Sequence, residues 1–309
     1  MKRALVLLLL ISCTGIVEEL PVVDSGVPDD RDAGMRIEDA GLIIDAGEPD
    51  SGTPDAGPVD SGVPDAGVPD AGVPDAGRAC TARFCDDFER FDAGVRPTAP
   101  WTVSTSGGTV LVDTTRAHSG TSSIRVTTDG TAAYRRAYFA LGSAFFPAQN
   151  NAFYGRMWVY LTAAPPQTTH WTHISGEGTA MNAGTPFYAY VRYGGQYAKK
   201  LMANYDSQVF QSDCWKHSMT EFPEGRWSCM EWHFDGPDNR MDFWLDGTQV
   251  APLTVDDRGS GCIKQGLDGG WVFPQFEKLQ LGWEHYQTSD AIEMWVDDVA
   301  LDEQRIGCD

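Results

Sequence analysis

Beyond residue 79 the chain alternates apolar and polar positions in short runs. In Phe153–Leu161, for example, Phe153, Gly155, Met157, Val159 and Leu161 fall on one phase and Tyr154, Arg156, Trp158 and Tyr160 on the other. A period of two marks a strand buried on one side. The pattern predicts strands over Gly108–Asp113, Ser122–Thr127, Ala133–Leu141, Phe153–Leu161, His170–Ser175 and Phe187–Tyr193. It continues with Gln208–Gln211, Trp227–Phe234, Arg240–Leu245, Leu279–Glu284 and Ile292–Leu301. Gly-Gly, Asp-Gly and Pro-bearing stretches separate the runs, and none reads as a helix of three turns. Many short strands without helices imply an all-β sandwich or jelly roll. The last strand carries an anomaly. Its apolar alternation is broken by Asp297 and Asp298, which is costly inside a core unless something pairs with them. A bound cation is one candidate. An acidic counterpart, Asp86, Asp87 and Glu89, opens the domain, so the first and last strands are expected to meet around these two segments.

The other phase of the strands carries the chemistry. Arg156, Trp158 and Tyr160 oppose the apolar set of their strand. Tyr188, Tyr190 and Arg192 oppose Phe187, Ala189 and Val191, and Glu231 and His233 oppose Met230, Trp232 and Phe234. Strands that each place an aromatic and charged set opposite an apolar set predict one concave, ligand-binding face. Aromatic faces stack on sugar rings, while Arg and Glu bond hydroxyls and carboxylates, so polysaccharide is the expected ligand. Elimination at a uronate needs a neutraliser for the carboxylate, a base for the C5 proton and an acid for the leaving oxygen. Arg156 or Arg192 suits the first role. His173, read as facing opposite Ile174, suits the second. Tyr190 suits the third, or the second in place of His173. The odd offset of His170 and His173 sends them to opposite faces, which excludes a metal shared between them on one strand. The paired carboxylates of a retaining glucanase, Glu-x-Asp-x-Glu, are absent, as are Gly-x-Ser-x-Gly and a phosphate loop.

Composition changes the picture at the N-terminus. Lys2 and Arg3 precede a short apolar run, Ala4–Ile11, too short to span a bilayer. The run ends in Ser12-Cys13, which resembles the bacterial lipobox. It implies removal of residues 1–12, lipidation of Cys13 and a firm lipid anchor. Thr14 after the cysteine implies the outer membrane or cell surface by the same resemblance. Residues 14–78 hold 16 Asp or Glu against 3 Arg and end in repeated Val-Pro-Asp-Ala-Gly. Such a segment cannot bury enough apolar surface to fold, so 13–78 is expected to be a disordered acidic tether. It reaches on the order of 170 Å if extended, or about 40 Å as a coil. The net charge is −21, of which −10 falls on residues 79–309, and no cluster of Lys and Arg offsets it. A nucleic-acid partner is therefore excluded. Six cysteines beyond Cys13 in an exported chain favour disulfides, with 15 possible pairings. The short segment between Cys214 and Cys229 predicts a hairpin closed by that pair. Cys308, on the last strand, is expected to reach Cys80 or Cys85.

Several pieces together are similar to one family. Ala117–Val126 resembles the turn and strand of jelly-roll carbohydrate-binding modules, and Trp295–Leu301 resembles their closing strand. Phe153–Tyr160, Trp227–Trp232 and Phe243–Gly247 are similar to concanavalin A-like lyases and lectins. Taken in order, residues 79–309 resemble the Cip1-like polysaccharide-lyase-like domain. The resemblance implies a monomeric, concanavalin A-like jelly roll. It also implies a structural Ca2+ held by Glu89, the carbonyl region of Ser119 and Asp297, the hard oxygen ligands that calcium prefers. The rival is a non-catalytic surface adhesin or protein-interaction module built on the same face.

Overall fold

The structure is a computed structural model, which describes residues 80–130, 134–166, 168–207, 212–256, 261–264 and 270–308. The leader, Cys13, the acidic repeats and the expected strand Gln208–Gln211 lie outside the described residues. The strands are β1 (Phe84–Asp86), β2 (Trp101–Ser106), β3 (Gly108–Asp113), β4 (Ser123–Thr128), β5 (Arg135–Leu141), β6 (Ala152–Leu161), β7 (Trp171–Asn182) and β8 (Thr185–Gln196). They continue as β9 (Lys200–Ser207), β10 (Ser212–Glu221), β11 (Trp227–Asp235), β12 (Arg240–Leu245), β13 (Thr248–Gln249), β14 (Cys262–Lys264), β15 (Gln275–His285) and β16 (Ile292–Asp302). Among the described residues the only helical turns are two short 3-10 segments, Gln149–Asn151 and Ala251–Leu253.

The strands form two antiparallel sheets. Sheet A runs β13-β12-β11-β6-β16-β4-β3, with β1 on β16, and sheet B runs β14-β10-β9-β8-β7-β15-β5-β2. The inward phases fill the space between them. β6 alternates half-buried and buried residues along its whole length, with Phe153, Met157, Val159 and Leu161 turned inward. Phe153 and Phe234 of sheet A meet Phe276 of sheet B at ring separations of 5.4 and 5.7 Å, and Tyr193 of sheet B meets Phe243 of sheet A at 4.8 Å. Gly155 is glycine because the Trp232 ring occupies the place of its Cβ, 2.1 Å away. Burying each such aromatic contributes on the order of 2–3 kcal/mol, which is why ring pairs can hold the two layers in register.

The first and last strands do meet: Phe84 pairs Leu301 and Asp86 pairs Val299. The cysteines pair differently from expectation, as Cys80–Cys85, Cys214–Cys262 and Cys229–Cys308. Cys214 and Cys229 cannot close a hairpin because the segment between them crosses from sheet B to sheet A. Cys214 faces its ladder neighbour Cys262 across β10 and β14. Cys229 lies on the outward phase of β11, where Cys308 reaches it from the C-terminal tail.

Candidate functional site

The predicted face divides between the two sheets. β6 and β11 are neighbours in sheet A, so Arg156, Trp158, Tyr160, Glu231 and His233 share one outward face; Arg156 pairs directly with Glu231. Tyr188, Tyr190 and Arg192 share the outward face of sheet B, on the far side of the core. One face carrying all of them is thus corrected: the alternation within each strand is as read, but the strands belong to different layers.

On sheet A the outward residues are engaged by the protein itself. His118, from the loop before β4, stacks on Trp158 at 3.7 Å, and Arg116 lies over the Tyr160 ring at 3.8 Å. His233 stacks on Tyr154 and its Nδ1 lies 3.5 Å from Asp242. Glu231 is only 1% exposed. It accepts hydrogen bonds from Arg305 at 2.7 and 3.1 Å and from the Gly307 N–H at 2.9 Å. Its role is to pin the C-terminal tail beside the Cys229–Cys308 bridge, which corrects its placement as a ligand-binding residue.

On sheet B the outward residues make a trough. Ser175 lies across from Arg192, Glu177 from Tyr190, and Gln280 from Ser175; Asn204 lies across from Arg192 on the other side. Ser175, Glu177, Arg192, Asn204, Gln280 and Glu284 face away from the core yet are buried. A row that is outward and inaccessible at once is a floor between walls. The walls are tyrosines: Tyr134, Tyr188, Tyr190 and Tyr286 are all exposed or half-exposed. Glu284 gathers two of these hydroxyls and that of buried Tyr138. Tyr134 donates to it at 2.6 Å, Tyr286 at 2.8 Å and Tyr138 at 3.4 Å. Glu177 is matched by Lys278 at 2.8 Å and by Ser175 and Gln280. Arg192 lies 4.4 Å over the Tyr190 ring and 3.6 Å from Asp206, and its Nε has no partner. Burial alone would lower the Arg192 pKa, but Tyr286, Glu284, Tyr138 and Asp206 outweigh it and fix the positive charge. Tyr286 is pushed up, by burial first and by Glu284, so its hydroxyl keeps its proton.

His173 does not join this site. Both neighbours of β7 lose register here, β8 between Thr172 and Ile174 and β15 between Leu281 and Glu284. A bulge of this kind adds one residue and resets the phase. Thr172 keeps the outward position and His173 turns into the core, fully buried, 5.1 Å from the Phe222 ring. Neither ring nitrogen has a partner, and burial pulls its pKa down to about 3. His170 takes the place that sequence reasoning gave to His173. Its ring lies 4.8 Å from that of Tyr286, its Nε2 is buried without a partner, and its pKa is lowered to about 4 by burial, Arg192 and His217. Glu177, Gln280, Glu284 and Tyr286 were also missed. The alternation of Lys278, Gln280 and Glu284 against Leu279, Leu281 and Trp283 carried the signal for β15.

The acidic segments flank the 118–122 loop. Asp297 is wholly buried; its Oδ2 accepts from the N–H of His118 at 2.7 Å and of Ser119 at 3.2 Å, and its Oδ1 from Asp298 at 2.8 Å. Asp298 accepts from the Ser119 hydroxyl at 2.7 Å and lies 2.6 Å from His118 Nδ1. Glu89 accepts from the N–H groups of Thr121 and Ser122, each at 2.7 Å. Gly120, at φ +57°, leaves room for the Glu89 carboxylate 2.5 Å from where a Cβ would sit. Burial and the neighbouring Asp298 push Asp297 up to about 8. Two adjacent carboxylates, Asp297 buried and Asp298 half-buried, offer hard oxygen donors that fit a divalent cation chemically. Among the described residues, however, the one group whose ligand atoms already converge within 4.8 Å is Cys229, Glu231 and Cys308, and its cysteines are bonded to each other. A cavity of about 570 Å3, bordered by Asn150, Met181 and Phe273, has no ionisable side chain in its wall.

The two-layer antiparallel sandwich, with a polar aromatic trough on one sheet, is a jelly roll. A family model, the Cip1-like core domain of the polysaccharide lyase-like proteins, matches residues 87–304, and the chain belongs to this family. Membership points to carbohydrate binding or lyase-related chemistry. Among solved structures, cellulose induced protein Cip1 is 25% identical with a TM-score of 0.54, over 73% of this chain and 100% of that one. Weaker likenesses include the alginate lyase AlyC3, at 9% identity and TM-score 0.39 over 58% of this chain and 74% of that one. A botulinum neurotoxin type C structure is 12% identical with a TM-score of 0.42, over 66% of this chain and 43% of that one. No curated protein matches.

Proposed function

We propose that the trough of sheet B binds a uronate-containing polysaccharide and cleaves it by β-elimination. The observation that carries this reading is Arg192: a guanidinium on the trough floor whose one ion pair, with Asp206, leaves donors over, set beside Tyr190, Tyr286 and His170. Arg192 neutralises the uronate carboxylate, which acidifies C5–H. His170, neutral at physiological pH because its pKa is about 4, takes the C5 proton. The electron pair forms the C4–C5 double bond and the C4–O4 bond breaks. Tyr286, kept protonated, donates to the departing O4, and the proton on His170 returns through solvent. No cofactor is consumed. Tyr188 and Tyr190 offer ring faces for neighbouring sugars.

Two further parts belong to the proposal. A structural Ca2+ would be held by Glu89, Asp297 and Asp298 beside Ser119, supported by the adjacent carboxylates of Asp297 and Asp298 on the 118–122 loop. Lipidation at Cys13 would tether the domain to the bacterial cell envelope, supported by the lipobox-like leader and the acidic repeats. The catalytic reading is tested by incubating the full chain with a panel of uronans and following ultraviolet absorbance of unsaturated ends. Arg192→Ala is expected to abolish product and weaken retention together. His170→Ala is expected to lower product at least a hundredfold, within the ~10²–10⁴-fold range for a general base, while sparing retention. Product from the His170 variant at the wild-type rate would remove its assignment as base.

A further inference from the structure

We propose that Trp215 and His217 of β10, with Tyr197 from the turn between β8 and β9, form a further subsite of the trough, which takes the ring face of a sugar beyond the one whose carboxylate meets Arg192. The inference rests on the trough being the glycan site, and adds residues that position the polymer in it. Residues paired across a ladder point to the same side of a sheet, so the register gives the outward rows directly. One row runs Trp215, Asn204, Arg192 and Ser175 over β10, β9, β8 and β7. The next runs His217, Met202, Gly194 and Thr172 over the same strands. The register is unbroken from Trp215 to His217 and all along β8 and β9, so both β10 residues share the face of Arg192. Cys214, the neighbour of Trp215 in sequence, has the opposite phase and is fully buried.

Asn204 and Met202 are outward yet only 3% and 2% exposed, so the floor continues past Arg192 toward β10. Gly194 adds no side chain to it; a Cβ there would lie 1.9 Å from the Trp171 carbonyl oxygen. Trp215 is half-buried and His217 and Tyr197 are exposed, which makes them a wall at the far edge of that floor. The three rings form one cluster. Trp215 lies 6.3 Å from His217 at an interplanar angle of 27°, and Tyr197 meets His217 edge-on at 5.3 Å. This wall borders the same space as the proposed base, since Arg192 and His217 both act on the His170 charge. Burial lowers the His217 pKa, so its ring is neutral at neutral pH. An uncharged floor under an aromatic wall suits the apolar face of a sugar ring. β10 stands two strand spacings, ~10 Å, from β8, so the sugar against Trp215 is a different one from that held by Arg192. Tyr188 and Tyr190 extend the trough along β8; Trp215 extends it across the strands.

The test measures retention of the full chain by affinity electrophoresis in gels holding polyglucuronate, polymannuronate or polygalacturonate, and product by ultraviolet absorbance. On a polymer that the wild type binds, Trp215→Ala is expected to weaken retention about tenfold, and Trp215→Phe to recover most of the loss. Where product forms, KM is expected to rise by the same factor with kcat about unchanged, the signature of binding lost equally from ground and transition states. Retention is read apart from product, so the subsite is decided even on a polymer that is bound and not cleaved. Wild-type retention in Trp215→Ala, with Arg192→Ala abolishing it, would overturn the subsite and leave the glycan site standing. A lowered kcat in Trp215→Ala at unchanged KM and retention would overturn the subsite as well. A wild type retained by none of the three polymers would overturn the uronate-glycan reading itself, and the subsite with it. Should Trp215→Ala fold poorly, His217→Ala, at an exposed position, decides the question: retention about threefold weaker is expected, and wild-type retention would overturn the subsite.

Discussion

His173 and His170, three residues apart, have opposite fates, and the difference is a single unpaired residue in β7. The bulge turns His173 into an apolar shell with nothing to bond, while His170 faces Tyr286 and Arg192. The buried imidazole has a pH signature. Its folded pKa, about 3, lies below the ordinary 6.5, so the unfolded chain takes up the proton first. Stability is therefore full above pH ~6.5, declines as pH falls, and levels off near pH 3, by up to about 1.4 kcal/mol per unit. His173→Phe, which keeps a ring against Phe222, is expected to flatten that decline by one proton. Urea midpoints between about pH 7 and 4 check it: equal slopes in both proteins would mean that His173 is hydrated and titrates normally. The same scale holds Asp297. If Ca2+ neutralises it, a chelator is expected to lower the melting temperature of the wild type, and Asp297→Asn to be insensitive. At a hundredfold excess over Kd the ion would contribute about 2.7 kcal/mol.

Among elements, the C-terminal tail shows how a strand face is closed. β11 presents Glu231 outward next to Arg156, and the segment after β16 folds back to bring Arg305 and Gly307 onto that carboxylate. Cys229–Cys308 fastens the tail across a sequence separation of 79. In the chain-entropy model a loop of that length contributes about 4 kcal/mol. Cys308→Ser is expected to cost about that much. Arg305→Ala is expected to cost about 3 kcal/mol by leaving a buried carboxylate unpaired. Denaturant unfolding of both variants checks the pair, and near-wild-type stability in Arg305→Ala would show that water reaches Glu231. A β-bulge plays the opposite role at Asp297 and Ala300, where β16 slips against β6 and Asp298 takes φ 47°. That kink aims both aspartates at the 118–122 loop instead of at the core.

At the scale of the whole molecule, the trough of sheet B and the outward face of sheet A point away from each other across one aromatic core. The consequence is that sheet A is covered by the 118–122 loop and the tail, while sheet B carries the proposed glycan trough. The proposed tether bears on where that chemistry happens. Cys13→Ser is expected to move the protein from the membrane fraction to the soluble fraction of the producing cell. Retention of the variant in the membrane fraction would refute lipidation at that cysteine.

The sequence by itself determined what is local. Period two decides which residues of a strand share a side, so the inward sets of β6, β8 and β11 and the meeting of the first and last strands were readable. Strands β2, β9 and β10 were not readable, because Trp101–Ser106 is mostly polar and half-exposed while β9 and β10 lack a clean apolar alternation. Only the tertiary structure decided which strands become neighbours. That choice rests on contacts between distant residues, such as Glu284 of β15 with Arg136 of β5, and nothing within a strand encodes its layer. It placed Arg156 and Arg192 on opposite faces and sent Cys214 to Cys262 instead of Cys229. It also set the bulge that exchanged His173 for His170, because one extra residue in a ladder reverses every side chain before it while leaving the sequence pattern untouched.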